Sequence, residues 1–450
     1  MLTCFKAYDI RGRLGRDLDA QIALRIGRAF ALALGARRVV LGQDVRESSP
    51  MLADAVAEGL MQAGATVLDI GLCGTEEVYD ATAWSGACGG ICITASHNPA
   101  DWNGMKMVQR GAAPVGADSG LDEIRRLAEA DRPADGPRGS RAPLPGARAA
   151  YVARVLSFVD PSALPPLSVL VNSGNGAAGP TFDAIAAALE AAGTPLRFVR
   201  LHHAPDRRFP NGIPNPLLPE NQPVTGRAVV AAGADLGVAW DGDFDRCFLF
   251  DHRGRFVPGE YVVGLLAEAM LARHPGAAVV HDPRVVWATR ASVARAGGRA
   301  VQGRTGHSHM KAAMRASGAV YGGEMSAHHY FRDFHACDSG MIPWLLVAAL
   351  IGRTGRSLAD LVADARAAFP SSGEINFRVP DPAATIARVR AAVPQPLSVD
   401  ETDGLSQEYR DWRFNVRASN TEPLLRLNVE TRADPALLAD RVAVLSALIG

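Results

Sequence analysis

The chain has 450 residues, of which 48% are apolar and 21% charged, an ordinary composition for a soluble globular protein that is too long for one hydrophobic core. Its 47 basic and 47 acidic residues cancel, so nothing favours a nucleic-acid or anionic-membrane partner. Six scattered cysteines without a CxxC pair argue against zinc ribbons and thioredoxin-like motifs, and they predict reduced thiols in a cytoplasmic protein.

The first part of the chain alternates predicted helices and strands. It opens without a signal-peptide pattern, and the longest apolar run of the whole chain, residues 341–351, is too short to cross a bilayer. This β-α-β alternation indicates a mostly parallel sheet with its functional loops at the carboxyl ends of the strands. The predicted helices cover residues 22–30, 50–63 and 76–84, and the predicted strands cover residues 39–41, 67–70 and 90–93.

The third predicted strand runs into a small polar loop, residues 94–99 (TASHNP). Ser96, flanked by His97 and Asn98, is well placed there to carry chemistry. The same residues also suit an ordinary strand exit, in which Ser96 and Asn98 bond the backbone of a turn. Three further polar loops along the chain favour the catalytic interpretation.

Two more modules repeat this architecture after an exposed Pro- and Gly-rich loop predicted at residues 131–146. The second module ends in residues 241–246 (DGDFDR), and the third ends in residues 323–329 (GEMSAHH). From about residue 370 the predicted strands alternate between apolar and polar residues, which indicates a small α+β domain. That domain carries residues 417–423 (RASNTEP) between two predicted strands.

Asp241, Asp243 and Asp245 stand at alternate positions, which in an extended segment points three carboxylates to one side. Like charges this close are costly unless a cation neutralises them, and oxygen ligands favour Mg²⁺ or Mn²⁺ over zinc. An EF-hand is excluded because Arg246 takes the position of its glycine and His252 that of its glutamate. A solvated acidic turn remains the alternative.

Residues 174–179 (GNGAAG) match a dinucleotide-binding pattern between a predicted strand and a predicted helix. The acidic residue that should close the next strand is missing, because residues 200–203 read RLHH. A tight turn into a helix that begins near Pro180 is the better account.

The remaining polar groups suit phosphate chemistry. Arg417, Ser419, Asn420 and Thr421 form a cluster of donors that fits a dianionic phosphate, although a plain turn between strands fits nearly as well. A serine, a carboxylate-bound metal, basic residues and a separate phosphate clamp together serve phosphoryl transfer, which depends on positioning and charge stabilisation.

Four loops in order give the chain a resemblance to a known family: residues 94–99, 241–246, 323–328 and 417–421. With them, essentially the whole chain resembles the α-D-phosphohexomutase superfamily of phosphomannomutases and phosphoglucomutases. Residues 209–216 (FPNGIPNP) and 324–331 are most similar to the bacterial phosphomannomutase/phosphoglucomutase branch that supplies GDP-mannose for surface polysaccharide.

The resemblance implies three similar mixed-sheet α/β domains and a smaller C-terminal α+β domain around one central cleft. The expected boundaries are residues 1–147 with the phosphoserine loop, 148–253 with the metal-binding loop, 254–368 with the sugar-binding loop and 369–450 with the phosphate-binding loop.

The resemblance also implies a mechanism. Ser96 is phosphorylated in the resting enzyme and shares Mg²⁺ with Asp241, Asp243 and Asp245. The phosphoserine transfers its group to a hexose 1- or 6-phosphate, and the resulting hexose 1,6-bisphosphate turns over and returns the other phosphate; free bisphosphate acts as an activator. The residues expected on the reacting side are Ser96, Arg11, His97, Lys106, Arg246, His307 and His328, of which His328 is the candidate for proton transfer.

The same resemblance assigns the recognition of the substrate. Glu324 and Ser326 bind sugar hydroxyls. Arg284 takes a position that is lysine in some relatives, and its role stays open. The non-reacting phosphate is held by Arg417, Ser419, Asn420 and Thr421.

We therefore expect a cytoplasmic enzyme acting on hexose phosphates, either a monomer or a weak dimer, without a nucleic-acid or membrane partner. Mannose phosphate is the expected substrate and glucose phosphate a plausible one, since the two sugars differ only at C2. A metal-dependent phosphatase with Asp241 or Asp243 as nucleophile and a non-catalytic sugar-phosphate sensor are the alternatives.

Overall fold

The computed structural model describes residues 2–116, 119–133, 136–419 and 424–450. These residues form two compact units, of which the first comprises Met1–Phe256 with His328–Ser357, and the second Val257–Ala327 with Leu358–Gly450. The predicted domain boundaries divide the chain more finely and stay predictions. No helix in the described ranges is long and apolar enough to cross a membrane.

A mixed six-stranded sheet opens the first unit, in the order β1-β5-β4-β2-β3-β6. Strands β2, β3 and β4 are parallel to their neighbours in this group, whereas β4 pairs with β5 and β5 with β1 in antiparallel fashion. The elements are β1 (Ile10–Arg13), α1 (Ala20–Leu34), β2 (Arg38–Gln43), α2 (Ser49–Gln62), β3 (Thr66–Leu72), α3 (Thr75–Trp84), β4 (Gly89–Ile93), β5 (Trp102–Gln109), α4 (Leu121–Ala130), β6 (Arg141–Pro143) and α5 (Ala147–Leu156).

Local sequence explains how these elements begin and end. Asp19 caps α1 by accepting a hydrogen bond from the Ile22 backbone N–H, and Gly35 ends the helix at φ 55°, a left-handed conformation that glycine adopts without strain. The predicted loop at 131–146 is wrong in part, because Arg141–Pro143 forms β6 beside β3. A proline is compatible with this position, since β6 lies at the sheet edge.

The second sheet of this unit brings two buried strands to a polar turn. Strand β7 pairs in parallel with both β8 and β9, and β9 pairs with β10 as an antiparallel hairpin that closes around residues 241–246. The residues of β9 and β10 are all buried, so the polar turn between them is anchored on both sides. The elements are β7 (Ser168–Asn172), α6 (Ala178–Ala191), β8 (Arg197–Leu201), α7 (Gln222–Ala232), β9 (Leu236–Trp240), β10 (Cys247–Asp251) and β11 (Phe256–Val257).

The third module contributes parallel strands to the second unit and a short hairpin to the first. In the second unit β12 is parallel to both β13 and β14, and in the first unit β15 pairs with β16 in antiparallel fashion. The elements are α8 (Gly259–Arg273), β12 (Ala278–His281), α9 (Trp287–Arg295), β13 (Arg299–Gln302), α10 (His307–Ser317), β14 (Tyr321–Gly323), β15 (His329–Phe331), β16 (Cys337–Asp338) and α11 (Ile342–Thr354).

The C-terminal part of the second unit is an antiparallel sheet in the order β17-β21-β20-β19-β18, with two helices packed on its apolar face, which confirms the α+β prediction. The core there is built around Phe414, Val416 and Leu427. The elements are α12 (Leu358–Ala368), β17 (Ile375–Phe377), α13 (Pro382–Ala392), β18 (Ser398–Asp400), β19 (Leu405–Glu408), β20 (Trp412–Ala418), β21 (Leu425–Thr431) and α14 (Pro435–Ile449).

Candidate active site

Ser96 stands in the loop that follows the buried strand β4 (Gly89–Ile93) and is itself only 2% exposed. Its backbone adopts φ 52°, a left-handed conformation that is rare outside glycine and that marks strain held by the surrounding structure. Its Oγ donates to Asp241 Oδ2 at 2.7 Å and lies 2.9 Å from His97 Nδ1. The structure thus brings the predicted nucleophile and the predicted metal-binding loop into direct contact.

The three aspartates converge by a route that differs from the expected one. Residues 241–245 are not an extended segment, because Phe244 has φ 48° and its N–H bonds the Asp241 carbonyl at 3.2 Å in a tight turn. The extended geometry predicted from the sequence is therefore wrong, but its consequence holds: one carboxylate oxygen each of Asp241, Asp243 and Asp245 lie within 4.8 Å of one another. All three side chains are buried.

Two glycines allow this loop to lie against its neighbours. A Cβ at Gly242 would stand 2.4 Å from the Ser96 carbonyl oxygen, so only glycine lets the aspartate loop approach the serine this closely. A Cβ at Gly74 would stand 2.2 Å from the ring of Phe244, the residue at the bend of the turn. The juxtaposition of the serine and the aspartates is therefore built into the backbone packing.

Two basic side chains neutralise part of the buried negative charge. Lys106 Nζ lies 2.8 Å from Asp243 Oδ2 and also donates to Asp245 Oδ2. Arg246 binds Asp241 Oδ2 through Nε at 2.9 Å and Nη2 at 2.8 Å. Since burial disfavours charge, these contacts decide which carboxylates stay ionised.

The pKa values of the aspartates diverge accordingly. Burial alone would raise the pKa of Asp241, but the Arg246 guanidinium holds it below its ordinary value. The pKa of Asp245 is likewise held low against burial, by Lys106 and then His328. Burial and the Asp245 carboxylate raise the pKa of Asp243. A cluster that shifts neighbouring carboxylates in opposite directions is typical of functional sites.

The donor set of this cluster fits a hard divalent cation. The Oδ2 atom of each aspartate accepts bonds from protein groups, whereas the Oδ1 atoms of Asp241, Asp243 and Asp245 are buried without a hydrogen-bond partner among the described residues. Buried carboxylate oxygens left in this state are costly, and a cation bound by oxygen ligands would satisfy them.

The other residues predicted for the reacting side in the first unit lie around this cluster. Arg11 pairs with Asp9 at 2.9 Å and donates to the Asn98 side chain of the serine loop. His328 Nε2 lies 3.7 Å from Asp245 Oδ1. His97 Nδ1 faces Arg246 Nη2 at 2.5 Å, and burial followed by the Arg246 charge lowers the pKa of His97 to about 3. His97 is therefore a neutral acceptor at physiological pH.

The predicted sugar-binding residues lie in the second unit, joined by a buried arginine. Arg284 Nη2 lies 2.7 Å from Asp282 Oδ2, 3.2 Å from Ser326 Oγ and 3.6 Å from Glu324 Oε1. Glu324 also accepts a bond from the Gly306 N–H at 2.9 Å, immediately before His307 opens α10. Arg284, whose role the sequence left open, thus orders both predicted sugar ligands.

The predicted phosphate-binding loop is described only in part. Arg417 is buried near the end of β20, and the Ser419 N–H bonds the Leu424 carbonyl at 2.8 Å. Asn420 and Thr421 lie outside the described residues.

A carboxylate that sequence reasoning missed lies beside Arg417. Glu374 Oε2 is 3.1 Å from Arg417 Nη2 and 3.4 Å from Arg284 Nη1, and Glu374 Oε1 is 3.3 Å from Arg426 Nη1. Three guanidinium groups converging on one carboxylate form a strongly basic pocket that favours an anion. The sequence carried no signal for it, because Glu374 stands outside any polar motif.

All six cysteines are free, as expected, and five of them are buried.

Comparisons with known proteins cover the whole chain. Four family models match in order, and their descriptions read "Phosphoglucomutase/phosphomannomutase", followed by alpha/beta/alpha domain I, II or III, or by C-terminal domain. The matched residues are 3–134 for domain I, 149–254 for domain II, 258–369 for domain III and 374–447 for the C-terminal domain.

Individual relatives are similar over their full length. A phosphomannomutase of Salmonella montevideo is 57% identical over 98% of this chain and 97% of its own. A phosphomannomutase of Salmonella typhimurium is 56% identical over 100% of this chain and 99% of its own. Among solved structures, a phosphoglucomutase/phosphomannomutase family protein of Burkholderia thailandensis has a TM-score of 0.88 and 33% identity, covering 100% of this chain and 97% of that one.

Proposed function

The chain belongs to the phosphoglucomutase/phosphomannomutase family, and from this we propose that it interconverts hexose 1-phosphate and hexose 6-phosphate through a phosphorylated Ser96. The observation that carries the proposal is the 2.7 Å bond between Ser96 Oγ and Asp241 Oδ2, with the other two aspartates at the same site. A nucleophile in contact with a carboxylate triplet suits phosphoryl transfer.

The reaction is a pair of opposite transfers. In the first, the bond between phosphorus and Ser96 Oγ breaks as phosphorus bonds the free hydroxyl oxygen of the hexose phosphate, and that hydroxyl loses its proton to His328. Ser96 Oγ takes up a proton from water as it is released and becomes a hydroxyl. The hexose 1,6-bisphosphate then presents its other phosphate; Ser96 Oγ gives its proton back as it bonds phosphorus, and His328 returns its proton to the sugar oxygen that leaves. The enzyme ends phosphorylated, and no net phosphate is consumed.

The side chains around Ser96 fix its orientation during both transfers. Asp241 accepts the hydroxyl hydrogen bond when the serine is unphosphorylated, and its lowered pKa keeps it an acceptor. Arg246 and Lys106 stabilise charge on the transferring group, and neutral His97 holds the Arg246 guanidinium through Nδ1. Arg11 reaches the same loop through Asn98.

Asp241, Asp243, Asp245 and the phosphate of Ser96 would hold Mg²⁺, which when bound neutralises the transferring phosphoryl group. The Oδ1 atoms of the three aspartates, which accept no hydrogen bond from the described residues, support this assignment.

Recognition of the substrate is assigned to the second unit. Glu324 and Ser326 bind sugar hydroxyls, and Arg284 holds them in place and supplies positive charge. His307, which opens α10 in the same unit, is a proposed residue of the reacting side. Arg417 and Ser419, together with Asn420 and Thr421, bind the phosphate that is not transferred.

Mannose phosphate is the preferred substrate, because several relatives with more than half of their residues identical over the full length are named phosphomannomutases. Two relatives of Xanthomonas campestris, 55% and 54% identical over 100% of this chain, are named phosphohexose mutases. Glucose phosphate is the second substrate. Hexose 1,6-bisphosphate acts as the activator that phosphorylates Ser96, and the chain works in the cytoplasm as a monomer or weak dimer.

A coupled assay with mannose 1-phosphate and glucose 1-phosphate tests this proposal, with kcat/KM measured for each sugar in wild-type protein and in Ser96→Ala. We expect turnover of both sugars, a higher kcat/KM for mannose 1-phosphate, and loss of turnover in Ser96→Ala. Release of inorganic phosphate that persists in Ser96→Ala would indicate the phosphatase instead, and binding without turnover in wild type would indicate a sensor.

A further inference from the structure

Arg46 lies beneath the serine loop and takes no part in the chemistry proposed above. Its side chain is only 2% exposed, which is unusual for arginine unless its donors are satisfied. It follows β2, whose last residue Gln43 is in parallel register with Ile93 at the end of β4. Because parallel neighbours end at the same sheet edge, the segment after β2 meets the loop that carries Ser96.

The guanidinium of Arg46 binds four backbone carbonyls, three of them in the loop and the fourth at Trp102, the first residue of β5. Nη2 donates to the Ser96 carbonyl at 3.0 Å and to the Asn98 carbonyl at 2.6 Å. Nη1 donates to the Pro99 carbonyl at 2.8 Å and to the Trp102 carbonyl at 3.0 Å. Only a planar fork of donors can satisfy these four carbonyls; a lysine ammonium offers three donors on a single atom.

The guanidinium is itself held from two sides. Asp44 Oδ2 lies 3.4 Å from Arg46 Nε, and Asp44 Oδ1 accepts bonds from the Arg46 N–H and from Ser49 Oγ. The ring of Phe209 lies with its centroid 5.7 Å from the guanidinium carbon. Phe209 opens the FPNGIPNP segment, which the proposed chemistry does not otherwise use.

Two contacts therefore fix the Ser96 carbonyl oxygen. Arg46 donates to it, and Gly242 packs close enough that a Cβ would stand 2.4 Å away. The strained φ of 52° at Ser96 needs such support, because a loop free to relax would leave the left-handed region and turn Oγ away from Asp241.

We propose that Arg46, covered by Phe209, is a positioning residue that holds the Ser96 loop in its strained conformation so that Oγ points at Asp241 in both transfer steps. The proposal rests on the mutase function. It requires that removal of the Arg46 guanidinium lower kcat, since misplacing reacting groups by about 1 Å lowers the rate about a hundredfold. Substrate binding in the second unit is not affected, so KM changes little.

The test compares Arg46→Ala and Arg46→Lys with a matched control, Arg25→Ala. Arg25 also donates to two backbone carbonyls in the first unit, those of Ala128 and Glu129, but outside the serine loop. The measurements are kcat, KM, the melting temperature and the rate at which phosphate is lost from Ser96 to water. Arg46→Lys keeps the buried positive charge, so it provides a folded variant if Arg46→Ala does not fold.

We expect both Arg46 variants to lose about a hundredfold in kcat, with KM within about threefold of wild type, and to lose phosphate from Ser96 at an altered rate. Arg46→Ala should regain kcat with added guanidinium but not with added ammonium. Arg25→Ala should keep wild-type kcat. If kcat of folded Arg46→Lys stays within twofold of wild type, or if its loss only follows a lower melting temperature, the proposal is wrong. Inactive wild-type protein would instead refute the mutase function.

Discussion

Lys106 Nζ lies 2.8 Å from Asp243 Oδ2, and this ammonium is one of the two cations that neutralise the buried aspartate triplet. Lys106→Met removes the charge but keeps most of the volume of the side chain. The remaining negative charge then attracts a divalent cation more strongly. We expect millimolar MgCl₂ to raise the melting temperature of Lys106→Met by more than it raises that of wild type, measured by calorimetry.

Lys6→Met is the control for this change, because the Lys6 ammonium bonds the Thr3 carbonyl far along the chain from any aspartate of the triplet. It should respond to MgCl₂ as wild type does. An equal rise in all three proteins would mean that Lys106 does not compete for the charge of the site.

We predict that Glu430 contributes strongly to the folding stability of the second unit. Its buried carboxylate accepts bonds from the Val286 and Trp287 N–H groups, at 2.8 and 3.0 Å, and pairs with Arg413 Nη1 at 2.8 Å. Glu430→Gln leaves the buried Arg413 without a counter-charge, so we expect a loss of about 3 kcal/mol in the free energy of unfolding, measured in urea.

The double variant Arg413→Met/Glu430→Gln is the matched comparison, because it removes both charges. It should recover part of the stability that Glu430→Gln loses. A loss in the double variant equal to the sum of the losses in Arg413→Met and Glu430→Gln would show that the pair is not coupled.

Glu374 is expected to compete with phosphate for the arginines around it. Burial opposes its charge, but Arg284, Arg426 and Arg417 hold the pKa of Glu374 below its ordinary value, so it is an anion in the basic pocket. Glu374→Gln removes this internal anion and should tighten binding of inorganic phosphate about tenfold, or about 1.4 kcal/mol, by calorimetry.

Glu58→Gln serves as the control for Glu374→Gln, since Glu58 pairs with Arg138 in the first unit. Its phosphate affinity should equal that of wild type. Weaker phosphate binding in Glu374→Gln would show that the carboxylate orders the arginines and does not block them.

Glu260 gives the second unit a pH-dependent stability. Burial raises the pKa of Glu260 to about 7, and the nearby carboxylates of Glu430 and Asp282 add to this rise. Hydrogen bonds from the Glu260 backbone and the Ser371 side chain lower the pKa but do not offset the rise. A raised carboxyl pKa contributes stability that is present below the unfolded value near 4.5 and is lost as pH rises through about 7. Glu260→Gln should therefore be more stable than wild type at pH 8, by about 3 kcal/mol, but not at pH 4.5.

Urea unfolding at several pH values measures this difference. Glu268→Gln, on the same helix α8 but paired with Arg295 and partly exposed, is the control and should show no such dependence. A stability gain in Glu260→Gln that is the same at both pH values would contradict the titration of Glu260.

Much of the site was predictable because its residues follow strands. The loops after β4 and β9 were located from apolar runs that end in polar residues. These strands belong to different sheets, and the close approach of Gly242 to the Ser96 backbone brings the two loops together. The tight turn at Phe244 was not predictable, because alternating aspartates suggest extended backbone and a left-handed phenylalanine has no sequence signature. Exposed short strands such as β18 carry no apolar alternation and were missed for that reason.

Isolated side chains were the hardest to predict. Arg46 and Glu374 act through partners distant in sequence, and a single buried charge looks like an ordinary surface residue until the fold is known. For Arg46 one clue existed: it follows β2, which is parallel to β4, and the loop after β4 carries Ser96, so the two loops had to meet.

The central claim is that Ser96 carries the phosphoryl group. The most direct test incubates the protein and Ser96→Ala with hexose 1,6-bisphosphate and MgCl₂, then maps the modified residue by peptide mass spectrometry. We predict one phosphoryl group on the peptide that contains Ser96 in the wild type, lost on addition of excess mannose 6-phosphate, and none in Ser96→Ala. A phosphoryl group on Asp241 or Asp243, or one that persists in Ser96→Ala, would contradict the account.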